Sequence, residues 1–285
     1  TDQSRYLILY GSAGSGKSIF AVQKLVVRML TETGHRFLVI RKVANTLRQS
    51  CFQVFKQIII DEGQAHNFTF LESSMHITCN LNGNEIIFAG LDDPEKIKSI
   101  AAITSVWCEE PTELNEKDFS QLELRVRGET ENYKQFILTF NPVDEDSWIK
   151  KRFYDKPDAQ VKIIHTTYKD NAFLDADYIK HLTERVVANE NLYRVYVLGQ
   201  WGRATTGGEF YKCFRHTKHA TMELEYTPDA ALHISFDFNV NPYITCAVFQ
   251  IEMVPAVMNG KIELQPERKI SKQIDELTLA HPRNT

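Results

Sequence analysis

The segment from Gly11 to Ser18 constrains this chain more than any other part of its sequence. It reads GSAGSGKS, which matches the pattern G-x-x-x-x-G-K-[ST], and it lies between the strand-like run Tyr6–Tyr10 and a segment of helical period at residues 19–30. A strand, a glycine-rich loop and a helix in this order are typical of a phosphate-binding loop, in which backbone N–H groups surround phosphate oxygens. The residues predicted to bind ATP are Gly11, Ser12, Ala13, Gly14, Ser15, Gly16, Lys17 and Ser18.

Two residues of this loop and two downstream acids have predicted roles of their own. Lys17 is expected to neutralise charge on the β- and γ-phosphates, and Ser18 to coordinate Mg²⁺. The apolar run Ile103–Cys108 ends at Glu109 and Glu110, so that a strand delivers two adjacent carboxylates to its tip. We expect Glu109 to hold the magnesium and Glu110 to act as general base on the attacking water. The alternative is a pair of solvated surface acids, because Glu is commonly exposed.

Two further polar residues are candidates on weaker signals. The run Phe136–Phe140 ends at Asn141, which is a candidate to sense the γ-phosphate and to couple hydrolysis to movement, although Asn-Pro is also an ordinary turn. Lys98 lies on a polar loop before Glu109 and is a candidate cation acting in trans on the nucleotide of a neighbouring subunit. Most lysines in such loops are simply solvated.

Short apolar runs alternate with helical segments up to about residue 140, which predicts an α/β domain with a mainly parallel sheet and helices on both faces. The apolar positions 47, 51, 54, 55 and 58 fit one helix face. Within the sheet, Asn82-Gly83 separates two β-rich runs and predicts an antiparallel hairpin.

The second part of the chain has a different pattern. A helical lid or linker is expected at about residues 165–205, so that the first domain spans residues 1–205. Residues 206–285 are expected to form a second, β-rich domain, because 232–238 and 243–251 read as strands joined by a turn.

Composition excludes several classes of protein. A hydrophobic content of 43% argues against disorder, and the longest apolar runs fall far short of the ~20 residues that a membrane span needs. The five cysteines have no metal-ligand spacing and are read as buried reduced thiols. No charged-then-apolar leader opens the sequence, and a cytoplasmic location is the default expectation. With a net charge of −4, DNA binding would require locally concentrated basic residues. The basic run at residues 150–152 is a candidate, although most such runs are solvated helix faces.

In their order along the chain, these motifs resemble those of the large terminase subunit of tailed phages. The chain is similar in particular to the prophage-type terminases of Gram-positive hosts. The matching segments are the loop at Gly11–Ser18, VIRK at 39–42, GLDDP to Lys98 at 90–98, Glu109-Glu110, TFNP at 139–142 and YVLGQWG at 196–202. The resemblance implies an additional-strand P-loop ATPase that drives double-stranded DNA into a procapsid, followed by an RNase H-like nuclease that uses two divalent metals.

The same resemblance implies roles and partners. It assigns the ATPase roles to the loop lysine and serine and to the paired glutamates, and it places Asn141 in the coupling motif. Asp237 corresponds to the first nuclease acid, which would bind Mg²⁺ or Mn²⁺. ATP and Mg²⁺ are the implied ligands of the ATPase. The implied partners are double-stranded DNA, the small terminase subunit, the portal protein and further copies of the chain in a ring on the portal, in the cytoplasm of the bacterial host and without a membrane.

Two departures from the family pattern matter. Ala13 stands where many members carry an arginine, so a cation in trans is expected from Lys98 or from an arginine of the 125–127 segment. The family continues beyond the position of Thr285 through elements that carry its remaining nuclease acids. Because a two-metal site needs a cluster of carboxylates, we expect residues 206–285 to form an incomplete RNase H-like domain that does not cut DNA by itself.

Other functions share some of these features. A helicase or remodelling ATPase has the same loop and acidic strand tip but usually needs a second RecA-like domain, and the region after Gly202 lacks a parallel βα rhythm. A small-molecule kinase seldom needs the paired glutamates. A prophage remnant that binds nucleotide without turnover is the non-enzymatic alternative, against which the intact loop and glutamate pair argue.

Overall fold

A computed structural model of the chain describes residues 2–91, 100–156, 158–185, 189–203, 226–238, 244–254, 257–258, 261–262 and 268–279. The chain divides into two units, Thr1–Thr206 and Gly207–Thr285. Within the described ranges, every helix is too short or too polar to cross a bilayer.

A mainly parallel sheet organises the larger unit. Its described strands are β1 (Tyr6–Gly11), β2 (Arg36–Arg41), β3 (Phe68–Leu71), β4 (His76–Cys79), β5 (Glu85–Gly90), β6 (Ser105–Glu109), β7 (Phe136–Phe140) and β8 (Val161–Thr166). They are ordered β3-β4-β5-β2-β6-β7-β1-β8. The six strands from β5 to β8 in this order are parallel, whereas β3 and β4 are antiparallel to their neighbours. The predicted α/β fold and the predicted antiparallel hairpin are therefore confirmed.

Helices cover both faces of this sheet. They are α1 (Lys17–Thr31), α2 (Ala44–Leu47), α3 (Gln53–Asp61), α4 (Glu116–Glu123), α5 (Trp148–Phe153), α6 (Ala176–Arg185) and the short turn α7 (Glu190–Leu192). Every residue of β6 and β7 is buried, as expected for strands covered on both sides. Successive side chains of β6 pack into the cores on opposite faces of the sheet. Trp107 packs with α1 and α3, while Val106 packs with α4 and α5.

The structure differs from the sequence prediction between residues 44 and 61. We expected one helix face there, but a π-helical turn at Arg48–Phe52 separates α2 from α3. The additional residue in this turn lets both Cys51 and Phe52 reach the core, where each is fully buried. In the larger unit, the strands β3 and β8 were not predicted.

The smaller unit contains antiparallel strands. They are β9 (Leu232–Phe238), β10 (Ile244–Val254), β11 (Val257–Met258), β12 (Lys261–Ile262) and β13 (Arg268–Leu279). β10 lies between β13 and β9, while β11 and β12 pair with each other. The two strands expected at 232–238 and 243–251 are present. In the backbone register, Asp237 is opposite Thr245 and Glu276 is opposite Ala247.

Candidate nucleotide-binding site

The glycine loop joins the end of β1 to the start of α1. Gly14 and Gly16 have φ values of 71° and 83°, a left-handed conformation that glycine adopts without steric cost. Gly16 caps α1, and neither a side-chain cap nor an acidic residue occupies the first turn of that helix. The first N–H groups of α1 are therefore available to an anion, and the helix dipole favours negative charge at this point.

The ammonium group of Lys17 folds back over the loop. Its Nζ donates to the carbonyl oxygen of Ser12 at 2.7 Å, to Oγ of Ser15 at 3.1 Å and to the carbonyl oxygen of Gly11 at 3.4 Å. Burial lowers the pKa of Lys17 to about 8, against the opposing effect of the charges on Glu110 and Glu109. Lys17 is therefore mostly protonated at neutral pH, and its positive charge lies where phosphate oxygens are expected.

Ser18 and Glu109 meet above the end of the sheet. Oγ of Ser18 donates to Oε1 of Glu109 at 2.9 Å, and the hydroxyl of Thr139 donates to Oε2 of the same carboxylate. Glu109 is only 9% exposed, and burial raises its pKa, whereas the two hydroxyl donors and nearby positive charges lower it. A serine hydroxyl beside a carboxylate suits Mg²⁺, which prefers oxygen ligands and usually takes only one or two of them from protein.

Glu110 lies next to this carboxylate in a strained backbone conformation. Its φ of 51° is unusual for a residue other than glycine, and its N–H donates to the carbonyl oxygen of Thr139 at 2.9 Å. Such strain persists where the surrounding structure enforces it, often at functional sites. Burial, together with the charge of Glu109, raises the pKa of Glu110 to about 7. A carboxylate with this pKa can accept a proton at neutral pH.

Asn141 also reaches the glycine loop. Its Nδ2 donates to the carbonyl oxygen of Gly11 at 2.6 Å. The predicted ATPase residues of both strand tips, β6 and β7, are thus brought together with the loop. Lys98 lies outside the described residues, and so does the side chain of Asp237, whose backbone belongs to β9.

Residues at and after β8 form one side of the site, and the sequence analysis, which expected a helical lid or linker at about residues 165–205, assigned none of them a contact with the loop. The carbonyl oxygen of Thr166 accepts from the N–H of Ser12 at 3.0 Å, and Nδ2 of Asn171 donates to the carbonyl oxygen of Gly14 at 2.7 Å. The N–H of Ala13 donates to the carbonyl oxygen of Tyr196 at 2.9 Å. The β-branched run at 161–167 was the available signal for β8, but no sequence pattern pointed to the contacts with the loop.

The basic run at residues 150–152 is largely engaged within the protein. Nη2 of Arg152 donates to both carboxylate oxygens of Glu123 at 2.8 Å, and Lys150 pairs with Asp155 at 3.4 Å. These ion pairs favour the interpretation of the run as a helix face over that of a DNA contact.

Sequence comparison identifies related proteins. A family model described as "Phage terminase large subunit" matches residues 3–200. The PBSX phage terminase large subunit of Bacillus subtilis (strain 168) is 32% identical over 219 residues, which cover 70% of this chain and 50% of that protein. The large terminase subunit of Bacillus phage SPP1 is 34% identical over 203 residues, with coverages of 68% and 48%. The chain thus spans about half the length of these curated relatives.

A solved structure agrees in fold. The large terminase of a thermophilic bacteriophage, in complex with ATP-γ-S, has a TM-score of 0.60 and 18% sequence identity to this chain, and the match covers 99% of this chain and 64% of that chain. At this level of identity the likeness concerns the fold alone.

Proposed function

The chain belongs to the phage terminase large subunit family, and on that basis we propose that it is the ATP-hydrolysing motor part of a phage DNA-packaging machine. The observation that carries the proposal is the 2.9 Å hydrogen bond between Ser18 and Glu109. It joins the phosphate-binding loop to the acidic strand tip, the two elements between which P-loop ATPases hold the triphosphate and its metal ion.

ATP is the proposed substrate. The free N–H groups at the start of α1 and the positive charge of Lys17 suit the triphosphate, and the ATP-γ-S complex of the solved phage terminase supports this choice. Ser18 and Glu109 would hold Mg²⁺. When bound, that ion would neutralise charge on the β- and γ-phosphate oxygens.

Hydrolysis requires a base and a fixed geometry. We assign the base to Glu110, which would accept a proton from the water that attacks the γ-phosphorus in line with the leaving oxygen. Its pKa of about 7 keeps a substantial fraction ionised at neutral pH. Lys17 and the α1 N–H groups would stabilise the negative charge that develops on the phosphate oxygens.

Asn141 is the proposed link between hydrolysis and movement. It follows β7 directly and bonds the carbonyl oxygen of Gly11, so a shift of the loop on loss of the γ-phosphate would pull on this amide. The cation in trans, whether Lys98 or an arginine of the 125–127 segment, belongs to the same proposal.

The proposed partners follow from DNA packaging. They are double-stranded DNA, the small terminase subunit, the portal protein and further copies of the chain in a ring on the portal, in the bacterial cytoplasm. For the smaller unit we keep the prediction of an RNase H-like domain in which Asp237 binds Mg²⁺ or Mn²⁺.

ATP hydrolysis by the purified chain tests the central proposal. Lys17→Ala and Glu110→Gln should lower the turnover rate strongly, with about a 10²- to 10⁴-fold loss for removal of the base. Lys162→Ala and Glu62→Gln make the same chemical changes at exposed positions away from the loop and should leave the rate unchanged. Equal rates in all five proteins would reject the ATPase and leave the nucleotide-binding module as the remaining interpretation.

A second assay separates the motor from the helicase alternative. A packaging ATPase should be stimulated by double-stranded DNA and should leave its strands paired. ATP-dependent strand separation of a partly single-stranded substrate would favour the helicase instead.

A further inference from the structure

A buried indole reaches the site from within the core. Trp107 lies on β6, two residues before Glu109, and is 1% exposed. Its Nε1 donates to Oγ1 of Thr139 on the neighbouring strand β7 at 2.7 Å. An indole N–H can only donate a hydrogen bond, so the oxygen of Thr139 is the acceptor in this contact.

This contact fixes the direction of the next hydrogen bond. The hydroxyl of Thr139 has a single proton, and the indole N–H occupies one side of its oxygen. The Thr139 proton then points to Oε2 of Glu109, the second partner of this hydroxyl. Trp107 and Thr139 are thus successive donors in a chain of hydrogen bonds that ends at the carboxylate of Glu109.

Few other arrangements are open to these groups. Thr139 is 1% exposed and Glu109 is 9% exposed, so bulk water has little access to replace a lost partner. Oε1 of Glu109 already accepts from Ser18 at 2.9 Å, which leaves Oε2 to the Thr139 hydroxyl. If the indole N–H were absent, the hydroxyl could rotate, and the orientation of the carboxylate would be less defined.

We propose that Trp107 is a positioning residue for the metal site. It acts through Thr139 to hold the carboxylate of Glu109 in the orientation that Mg²⁺ needs. This inference rests on the proposed function, because that function assigns Glu109 to the metal. Any buried indole N–H needs an acceptor; the positioning role follows from which acceptor it has here, a hydroxyl that itself donates to Glu109.

The first experiment requires neither metal nor nucleotide. The chain has three tryptophans, so its indole ¹H–¹⁵N resonances are few and the Trp107 signal can be assigned by substitution. The Trp107 indole resonance should shift in Thr139→Val, which removes the acceptor, and stay near its original position in Thr139→Ser, which keeps it. An indole resonance that is the same in all three proteins would overturn the hydrogen bond and the proposal with it.

The second experiment titrates Mg²⁺ and follows the binding of ATP-γ-S. It measures the half-saturating Mg²⁺ concentration, at which the Mg²⁺-dependent gain in ATP-γ-S affinity is half complete. Trp107→Phe removes the N–H and keeps an aromatic ring, and we expect it to raise this concentration about tenfold, the size of effect that partners of metal ligands commonly have. ATP-γ-S binding without Mg²⁺ should not change. Phe55→Leu is the matched packing control, since Phe55 contacts Trp107 in the same core at a ring separation of 5.9 Å but has no link to the strand tip.

Coupling between the two positions decides the mechanism. Thr139→Val should raise the half-saturating Mg²⁺ concentration by itself, and adding Trp107→Phe to it should cause no further rise, because the indole then has no hydroxyl to direct. The proposal would be overturned if the double variant showed the product of the two single-variant increases in the half-saturating Mg²⁺ concentration. It would also be overturned if Phe55→Leu raised this concentration as much as Trp107→Phe does. A chain that binds no ATP-γ-S at all would contradict the proposed function, whereas the indole resonances would still report on the hydrogen bond.

Discussion

Oγ of Ser18 lies 2.9 Å from Oε1 of Glu109, although the two residues are 91 positions apart in the chain. The sheet order explains this proximity. Ser18 lies in the first turn of α1, which follows β1 through the glycine loop, and Glu109 ends β6, which is separated from β1 by β7 alone. Because these strands are parallel, their carboxyl ends lie at one edge of the sheet, where α/β proteins commonly bind ligands.

Ser18→Ala should weaken nucleotide binding only when Mg²⁺ is present. The substitution removes one oxygen ligand and one hydrogen bond to Glu109, so we expect the affinity for ATP-γ-S in Mg²⁺ to fall about 10- to 100-fold. Titration calorimetry with and without EDTA measures both affinities. Ser73→Ala is the control, since Ser73 is exposed on the β3–β4 connection. A Ser18→Ala protein that loses affinity equally in EDTA would show that the hydroxyl contacts the loop or the phosphates rather than the metal.

Gly199→Ala should disturb the phosphate-binding loop from outside it. Gly199 has a φ of 64°, and a Cβ there would lie 2.6 Å from the backbone nitrogen of Ser12. Gly83 has a φ of 75° but open space around it, so Gly83→Ala isolates the backbone strain of about 1–2 kcal/mol. Gly199→Ala should lower the Tm more than Gly83→Ala does, and it should also weaken ATP-γ-S binding. Equal Tm losses with unchanged binding would contradict this.

Much of the fold could be predicted because its strands are strongly apolar and its loop motif is specific. The apolar runs that form β1, β2 and β7 could be recognised as strands from the sequence alone, without tertiary information. The π-helical turn at Arg48–Phe52 could not be predicted in this way, because it depends on which side chains the core accepts. Strand β8 was missed because half of it is polar, and its pairing with β1 is what places Thr166 beside Ser12.

The candidate site could be predicted only in part. Sequence patterns selected Lys17, Ser18, Glu109, Glu110 and Asn141, and the fold brings these five residues around one loop. The patterns gave no reason to select a tryptophan, since an indole in an apolar strand is usually a packing residue. Its hydrogen bond depends on the register between two strands, which a single sequence does not reveal. The chemical roles of the five residues stay predictions.

His35 should make the stability of the protein depend on pH. Burial and the charge of Arg28 lower its pKa, against the opposing effect of Glu32. A lowered pKa in the folded state means that the unfolded chain binds a proton first as the pH falls below about 6.5. The stabilising contribution is therefore complete above that pH and declines below it. Urea unfolding of wild type and His35→Gln should show their difference in unfolding free energy shrinking from about pH 7.5 to about pH 5. A difference that grows on acidification would mean that Glu32 dominates and raises the pKa.

Arg152 should act on stability rather than on DNA. Its Nη2 bonds both oxygens of Glu123, the hydroxyl of Tyr6 donates to the same carboxylate, and the guanidinium lies 5.2 Å from the ring centre of Phe119. Arg152→Ala leaves Glu123 partly buried without its cation, so the free energy of unfolding should fall by about 1–3 kcal/mol. Lys151→Ala is the matched control, because Lys151 neighbours Arg152 on α5 and is exposed. If α5 presents only a solvated face, neither variant should change the salt dependence of DNA binding. A smaller slope of log binding constant against log salt concentration for Lys151→Ala would instead identify a phosphate contact on this helix.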